Sequence, residues 1–232
     1  MKNRILIFAF VSLFSSCKEK NEELKNVSNK NKANDEEVVL ENYKNINKDT
    51  LVYQDENLIS KSDFITHGDG VVNLNISNEL FIYNKDNSIF GKIIFSEESE
   101  SYILEMPKEI NARYFVPVLD QFYFDAENPN KDETYLNIFI NSKIKKVKKD
   151  NVNFNFVTWQ NYLKENFIKI RKLDSKDLDK NTYEVLNIEE DSILIKSVSK
   201  KACDAIETYT NVSKKIKWRD NNLLLIDFFE CN

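Results

Sequence analysis

The sequence predicts a mainly β fold, α+β only in a minor way, built from antiparallel small-barrel or meander domains with one short amphipathic helix. Val72, Leu74 and Ile76 alternate with Asn73 and Asn75, and Val152, Phe154 and Phe156 alternate with Asn153 and Asn155. A period of two puts the apolar side chains on one face of a strand and the amides on a wet face. The chain also holds 16 Phe and 10 Tyr against 3 Gly, and aromatic side chains fit the half-buried pleated surface of a sheet.

From the N-terminus, Lys2 and Arg4 precede an apolar run over 5–14 that ends in Ser15, Ser16 and Cys17. The run is too short for the ~20 residues that cross a bilayer as a helix, and small residues stand where a peptidase would cut. Leu13, Phe14, Ser15, Ser16 and Cys17 resemble the lipobox leader of bacterial lipoproteins. The resemblance implies a signal peptide over 1–16, lipid attachment at Cys17, and a place in the cell envelope, outside the cytoplasm. Two or more acyl chains, palmitate among them, give stable anchoring, because each buried methylene contributes about 0.8 kcal/mol. The other reading is a cleaved secretory signal with an incidental cysteine.

Residues 17–37 read as a disordered polar tether. After Cys17 only Leu24, Val27 and Ala33 are apolar, too few to bury a core. Lys18 directly after the cysteine is similar to outer-membrane sorting signals, so the outer membrane is expected, on its periplasmic or its surface face. Removing Lys2 and Arg4 from the 33 basic residues leaves 31 against 38 acidic ones, a net charge of −7. An acidic body lacks the basic stripe that nucleic acid requires, so no nucleic-acid partner is expected. The dense run Lys143, Lys145, Lys146, Lys148 and Lys149 reads as an exposed strand edge protected by lysines.

Residues 38–170 form the expected mainly-β domain, with further short strands near 80–83, 89–95, 102–105, 114–119, 135–140 and 144–148. The helix is expected near 158–167. Thr158 suits its cap, and Trp159, Tyr162, Leu163 and Phe167 share one face. The charged stretch 171–180 is the candidate domain boundary. Beyond it, strands are expected at 183–188, 192–198, 214–218 and 223–229, the last apolar on both faces as a central or closing strand would be.

Lys217, Trp218, Arg219 and Asp220, leading through Asn221 and Asn222 into Leu223, Leu224, Leu225 and Ile226, resemble bacterial Src-homology-three-like small barrels. The turn Tyr83, Asn84, Lys85, Asp86 and Asn87, followed by Ile89, Phe90, Gly91, Lys92 and Ile93, is similar to the same family's first hairpin. The resemblance implies a small β-barrel over 182–232 and binding of cell-wall peptides.

With Cys17 carrying lipid, Cys203 and Cys231 remain as a candidate disulfide, the alternative being two free thiols. Zinc is not expected, since His67 is the only histidine and stands far from both. Three glycines, Gly68, Gly70 and Gly91, leave no phosphate-binding loop, dinucleotide fingerprint or nucleophile elbow. No cofactor is expected. His67 lies in Thr66-His67-Gly68-Asp69-Gly70 and reads as a turn residue rather than a general base. An acidic loop at Asp125, Glu127, Asp132 and Glu133, with Asn128 and Asn130, offers oxygen ligands or a carboxylate pair, but lacks the spacing of a calcium loop.

These readings converge on a lipid-anchored extracytoplasmic protein that acts by surface recognition rather than chemistry. One function is neutralising a secreted toxin or hydrolase, whose basic surface an acidic body would attract. The alternative is an envelope module that binds cell-wall peptide, and the third is a carboxylate-dependent hydrolase. Trp218 with Arg219 is the candidate ligand surface, because such residues dominate interfaces. The competing reading of Trp218 is a half-buried barrel residue.

Overall fold

A computed structural model describes residues 51–52, 59–171, 180–206 and 209–229, all within one compact unit. In chain order the strands are β1 (Leu51–Val52), β2 (Ile59–Ser62), β3 (Gly70–Asn75), β4 (Glu79–Tyr83), β5 (Ile89–Ser96), β6 (Ser101–Met106) and β7 (Glu109–Ala112). Next come β8 (Tyr114–Val116), β9 (Gln121–Ala126), β10 (Tyr135–Ile140), β11 (Lys143–Lys148), β12 (Asn153–Thr158) and the helix α1 (Trp159–Glu165). The chain continues through β13 (Phe167–Ile170), β14 (Thr182–Glu189), β15 (Ser192–Val198), β16 (Ser213–Lys217), β17 (Arg219–Asp220), β18 (Leu223–Leu224) and β19 (Ile226–Phe229).

The larger sheet runs β1-β6-β5-β4-β11-β10-β9-β3-β12, with β8 also on β9. A second sheet runs β16-β15-β14-β13-β19. Their pairings are antiparallel, whereas the separate pair β2 and β7 is parallel. The fold is thus mainly β with one α-helix, and among the described residues the strands form open sheets rather than a closed barrel. The change from one sheet to the other falls at α1, because β13 pairs with β14 and β19. Residues 172–179 of the expected boundary lie outside the described residues, as do 1–50 with the leader and tether.

Alternation builds two cores. Val72 and Leu74 of β3 join Phe122 and Phe124 of β9 and Leu136 and Ile138 of β10 in the main core, all at 1% exposure or less. On the opposite face of β3, Val71 belongs to a second core with Trp159, Tyr162 and Leu163 of α1 and Ile193, Ile195 and Trp218. The helix starts where the sequence placed it, with Thr158 Oγ1 accepting from the Asn161 N–H at 3.4 Å, but it stops at Glu165, and Phe167, expected on its buried face, begins β13 instead. The buried residues of the helix recur at the i, i+3, i+4 spacing of one helical face.

Two expectations are overturned. The lysine-rich strand β11 lies between β4 and β10 rather than at an edge. Lys145 is tolerated inside because its ammonium donates to Asn84 Oδ1 at 2.6 Å and lies 4.0 Å from the Phe90 ring centroid, while its aliphatic stem packs as an apolar chain would. The edge pattern appears instead on β16, at the end of the second sheet, where Lys214, Lys215 and Lys217 follow one another. The segment 223–229 is two strands and not one central strand. The Leu225 N–H donates to the Trp218 carbonyl at 2.8 Å, which breaks the run, and β19 ends the second sheet's order.

Candidate functional site

The wet face of the larger sheet becomes a cavity because α1 covers only part of it. Antiparallel register sets Tyr123 of β9, Asn73 of β3 and Asn155 of β12 side by side in one row. The neighbouring row pairs Val71 with Val157, and both valines belong to the helix-covered core. Apolar residues hold the helix over the valine row, while the amide row stays uncovered. The resulting pocket has a volume of about 410 Å³, within the ~300–1,000 Å³ range of small-ligand sites.

Asn73, Gln121, Tyr123 and Asn155 form its floor, and Tyr162, Glu165 and Asn166 come from the end of the helix. Phe167 and Phe229, directly opposite each other across β13 and β19, complete the lining together with Val71 and Val157 of the neighbouring row. Asn166 is fixed by a 2.8 Å bond from its Nδ2 to the Tyr162 carbonyl. Glu165 is exposed. The side-chain oxygens of Asn73 and Gln121 are buried and have no hydrogen-bond partner. Such a group costs about 1–3 kcal/mol, and both oxygens are shielded from solvent although their residues border the pocket.

A second cluster holds the turn that contains His67. Gly68 adopts φ +59°, and a Cβ there would meet the Ala126 carbonyl oxygen at 2.3 Å, so the turn lies directly on the end of β9. Arg113 Nε donates to Asp125 Oδ1 at 2.9 Å and its Nη2 to Oδ2 at 2.9 Å. The same guanidinium donates to the carbonyls of Asp63 at 2.7 Å and Ile65 at 3.1 Å. The His67 backbone N–H donates to Asp125 Oδ2 at 2.8 Å, its Nε2 lies 3.2 Å from Asp63 Oδ2, and its ring stacks on Phe139 at 5.0 Å. Burial pushes the Asp125 carboxyl up, while Arg113 and the His67 N–H pull it back.

Asp125 is therefore a buried strand residue in an ion pair, not part of the acidic loop expected from the sequence. Glu127 accepts from Asn137 Nδ2 at 2.7 Å, and the Asp132 N–H donates to Asn130 Oδ1 at 3.2 Å. Among the described residues no three His, Cys, Asp or Glu side chains are placed to hold a metal ion.

Trp218, offered above as a ligand surface, is 2% exposed and sits in the second core. Its Nε1 donates to the Glu190 carbonyl at 3.0 Å, and Trp159 lies 6.2 Å away. Arg219 is half-buried, donates to Asp191 Oδ1 at 2.6 Å and covers Trp218 with its guanidinium at 4.5 Å. Cys203 is buried in a small cluster with Val198 and Ile206, against which Phe167 and Phe229 pack. It is disulfide-bonded. Cys17 and Cys231 lie outside the described residues.

Compared with family models, curated proteins and solved structures, the chain matches none. Among the described residues no helix is long and apolar enough to cross a membrane. Sequence reasoning missed Gln121 and Tyr123 because β9 went unassigned, although Gln121, Phe122, Tyr123 and Phe124 alternate in polarity. It also missed Glu165 and Asn166, whose relevance depends on where the helix stops.

Proposed function

We propose that the protein is a lipid-anchored, extracytoplasmic binding protein that recognises its ligand through the pocket on the wet face of the larger sheet. The observation that carries this reading is the pocket itself, a concave space of about 410 Å³ bordered by the amide side chains of Asn73, Gln121 and Asn155 and by the rings of Tyr123, Phe167 and Phe229. A few polar groups among aromatic walls are the usual make-up of a small-ligand site. The leader adds the address, with Cys17 as the acylated residue.

Of the two binding functions, the envelope module that takes cell-wall peptide fits better. A concave site of this size holds a few residues of a peptide, whereas a protein–protein interface buries on the order of 800 Å² on each partner. The net acidity of the chain favours the second reading, neutralisation of a basic secreted protein.

Two measurements test the proposal. Metabolic labelling with a fatty acid should mark the full chain and lose the label in Cys17→Ala. Purified wall peptides should bind the full chain, and Asn155→Trp, which fills the pocket from an exposed position, should abolish that binding with the melting temperature unchanged. Equal binding by Asn155→Trp would place recognition elsewhere.

A further inference from the structure

We infer that the protein pairs with a second copy of itself along the free edge of β12, joining two of the larger sheets into one. This goes beyond ligand binding and does not depend on what the pocket takes. β12 ends the strand order of the larger sheet. Among the described residues it lies against β3, α1 and the turn Lys149–Asn151 before it, and no strand pairs with its other side.

The ends of the two sheets are not alike. β1 has only two residues, β16 carries Lys214, Lys215 and Lys217, and β19 carries Asp227. Short length and charge are the ordinary means by which an edge is kept from pairing. β12 has neither, since its six residues include no charge and no proline. In a chain of net charge −5, an uncharged edge is where two copies meet with least repulsion.

The register defines the pairing that is open to two copies. The Trp159 N–H donates to the Asp69 carbonyl at 3.3 Å, directly after the facing pair Thr158 and Gly70. Hydrogen-bonded pairs alternate along an antiparallel ladder, so Asn155 and Val157 bond to β3 while Phe154 and Phe156 turn their N–H and C=O groups outward. A twofold axis through Asn155 brings Phe154 of one copy opposite Phe156 of the other, and every outward group of these two residues finds a partner.

The side chains match in the same register. Asn155 is exposed and meets its twin on the axis, amide to amide. Phe154 and Phe156, partly buried against the main core, face each other across the seam and continue that core. Thr158 falls opposite Val152 of the other copy, which keeps the two α1 helices at opposite ends. Twofold pairing uses the edge up, so assembly stops at two. Because Asn155 and Val157 also line the pocket, the seam sets the two pockets side by side.

Cysteine cross-linking of the full chain, read on a non-reducing gel, tests the register. Facing residues of a non-hydrogen-bonded antiparallel pair lie about 4.5 Å apart at Cα, within the span of a disulfide. Asn155→Cys should therefore give a covalent dimer under mild oxidation. Neither Asn153→Cys nor Val157→Cys should do so alone, but the two mixed should, because the register sets these positions opposite each other. Sedimentation equilibrium in density-matched detergent gives a second reading. The wild type should be dimeric. Asn155→Lys and Asn155→Glu should each be monomeric with an unchanged melting temperature, since like charges would oppose on the axis, and their mixture should be dimeric. A monomeric wild type, even one that takes a foreign extended peptide along β12, would overturn the inference, as would an Asn155→Lys protein that stays dimeric.

Discussion

The two faces of β3, β9 and β12 come from the same residues in alternation, yet they serve opposite ends. One face presents Val72, Leu74, Phe122 and Phe124 to the main core, each at 0% exposure. The other presents Asn73, Gln121 and Tyr123, with two acceptors left unpaired. The core face is as complete as packing allows. The wet face keeps two unpartnered oxygens, and that contrast sets a face completed by packing against one left polar.

The largest effect should come from the core face. Phe124→Ala is expected to lower stability by about 3–5 kcal/mol, measured by denaturant unfolding, because the space cannot collapse inside a two-sided sheet. A loss under ~1 kcal/mol would mean that the core face is looser than its burial indicates.

Arg113→Ala should cost a similar ~3–5 kcal/mol, since Asp125 would stay buried without its partner. Asp125 shares the wet face with Val71, so this variant asks whether that face tolerates a bare charge. Asp125→Asn/Arg113→Met together should recover part of the loss.

Cys203→Ser is expected to cost about 2–4 kcal/mol in oxidising buffer and nothing further once a reductant is added to the wild type. Phe167 and Phe229 pack against Cys203 and also line the pocket, so ligand affinity should fall in the same variant.

The smallest effect carries the opposite sign. Asn73→Val should raise stability by about 1 kcal/mol, because it replaces an unpaired acceptor with a side chain that suits a strand. The same change should weaken ligand binding. A destabilised Asn73→Val protein would erase the distinction between the two faces.

Most strands were legible in the sequence because alternation is a local signal, and the period of two at Val72, Asn73 and Leu74 or at Asn153, Phe154 and Asn155 needs no partner to be seen. The capped helix was legible for the same reason. Register was not, since nothing local says that Asn73 lies between Tyr123 and Asn155. β11 misled because five lysines near one strand suit an edge, and the partners that admit Lys145 to the interior, the Asn84 amide oxygen and the Phe90 ring, come from a distant turn and strand. Asp125 misled similarly. Its neighbours Glu127, Asp132 and Glu133 suggested a loop, whereas its environment is set by Arg113 across the sheet.

The order of strands has a consequence for how quickly the chain can mature. β3 pairs with neither β2 nor β4 but with β9 and β12, so the pocket floor is assembled entirely from contacts between distant parts of the chain. Closing such loops costs entropy before any contact rewards it, and domains dominated by non-local pairing fold in milliseconds to seconds rather than microseconds. Residue 158 must have emerged before the floor can close. During synthesis β3 therefore stays without its sheet partners until β9 and then β12 have emerged.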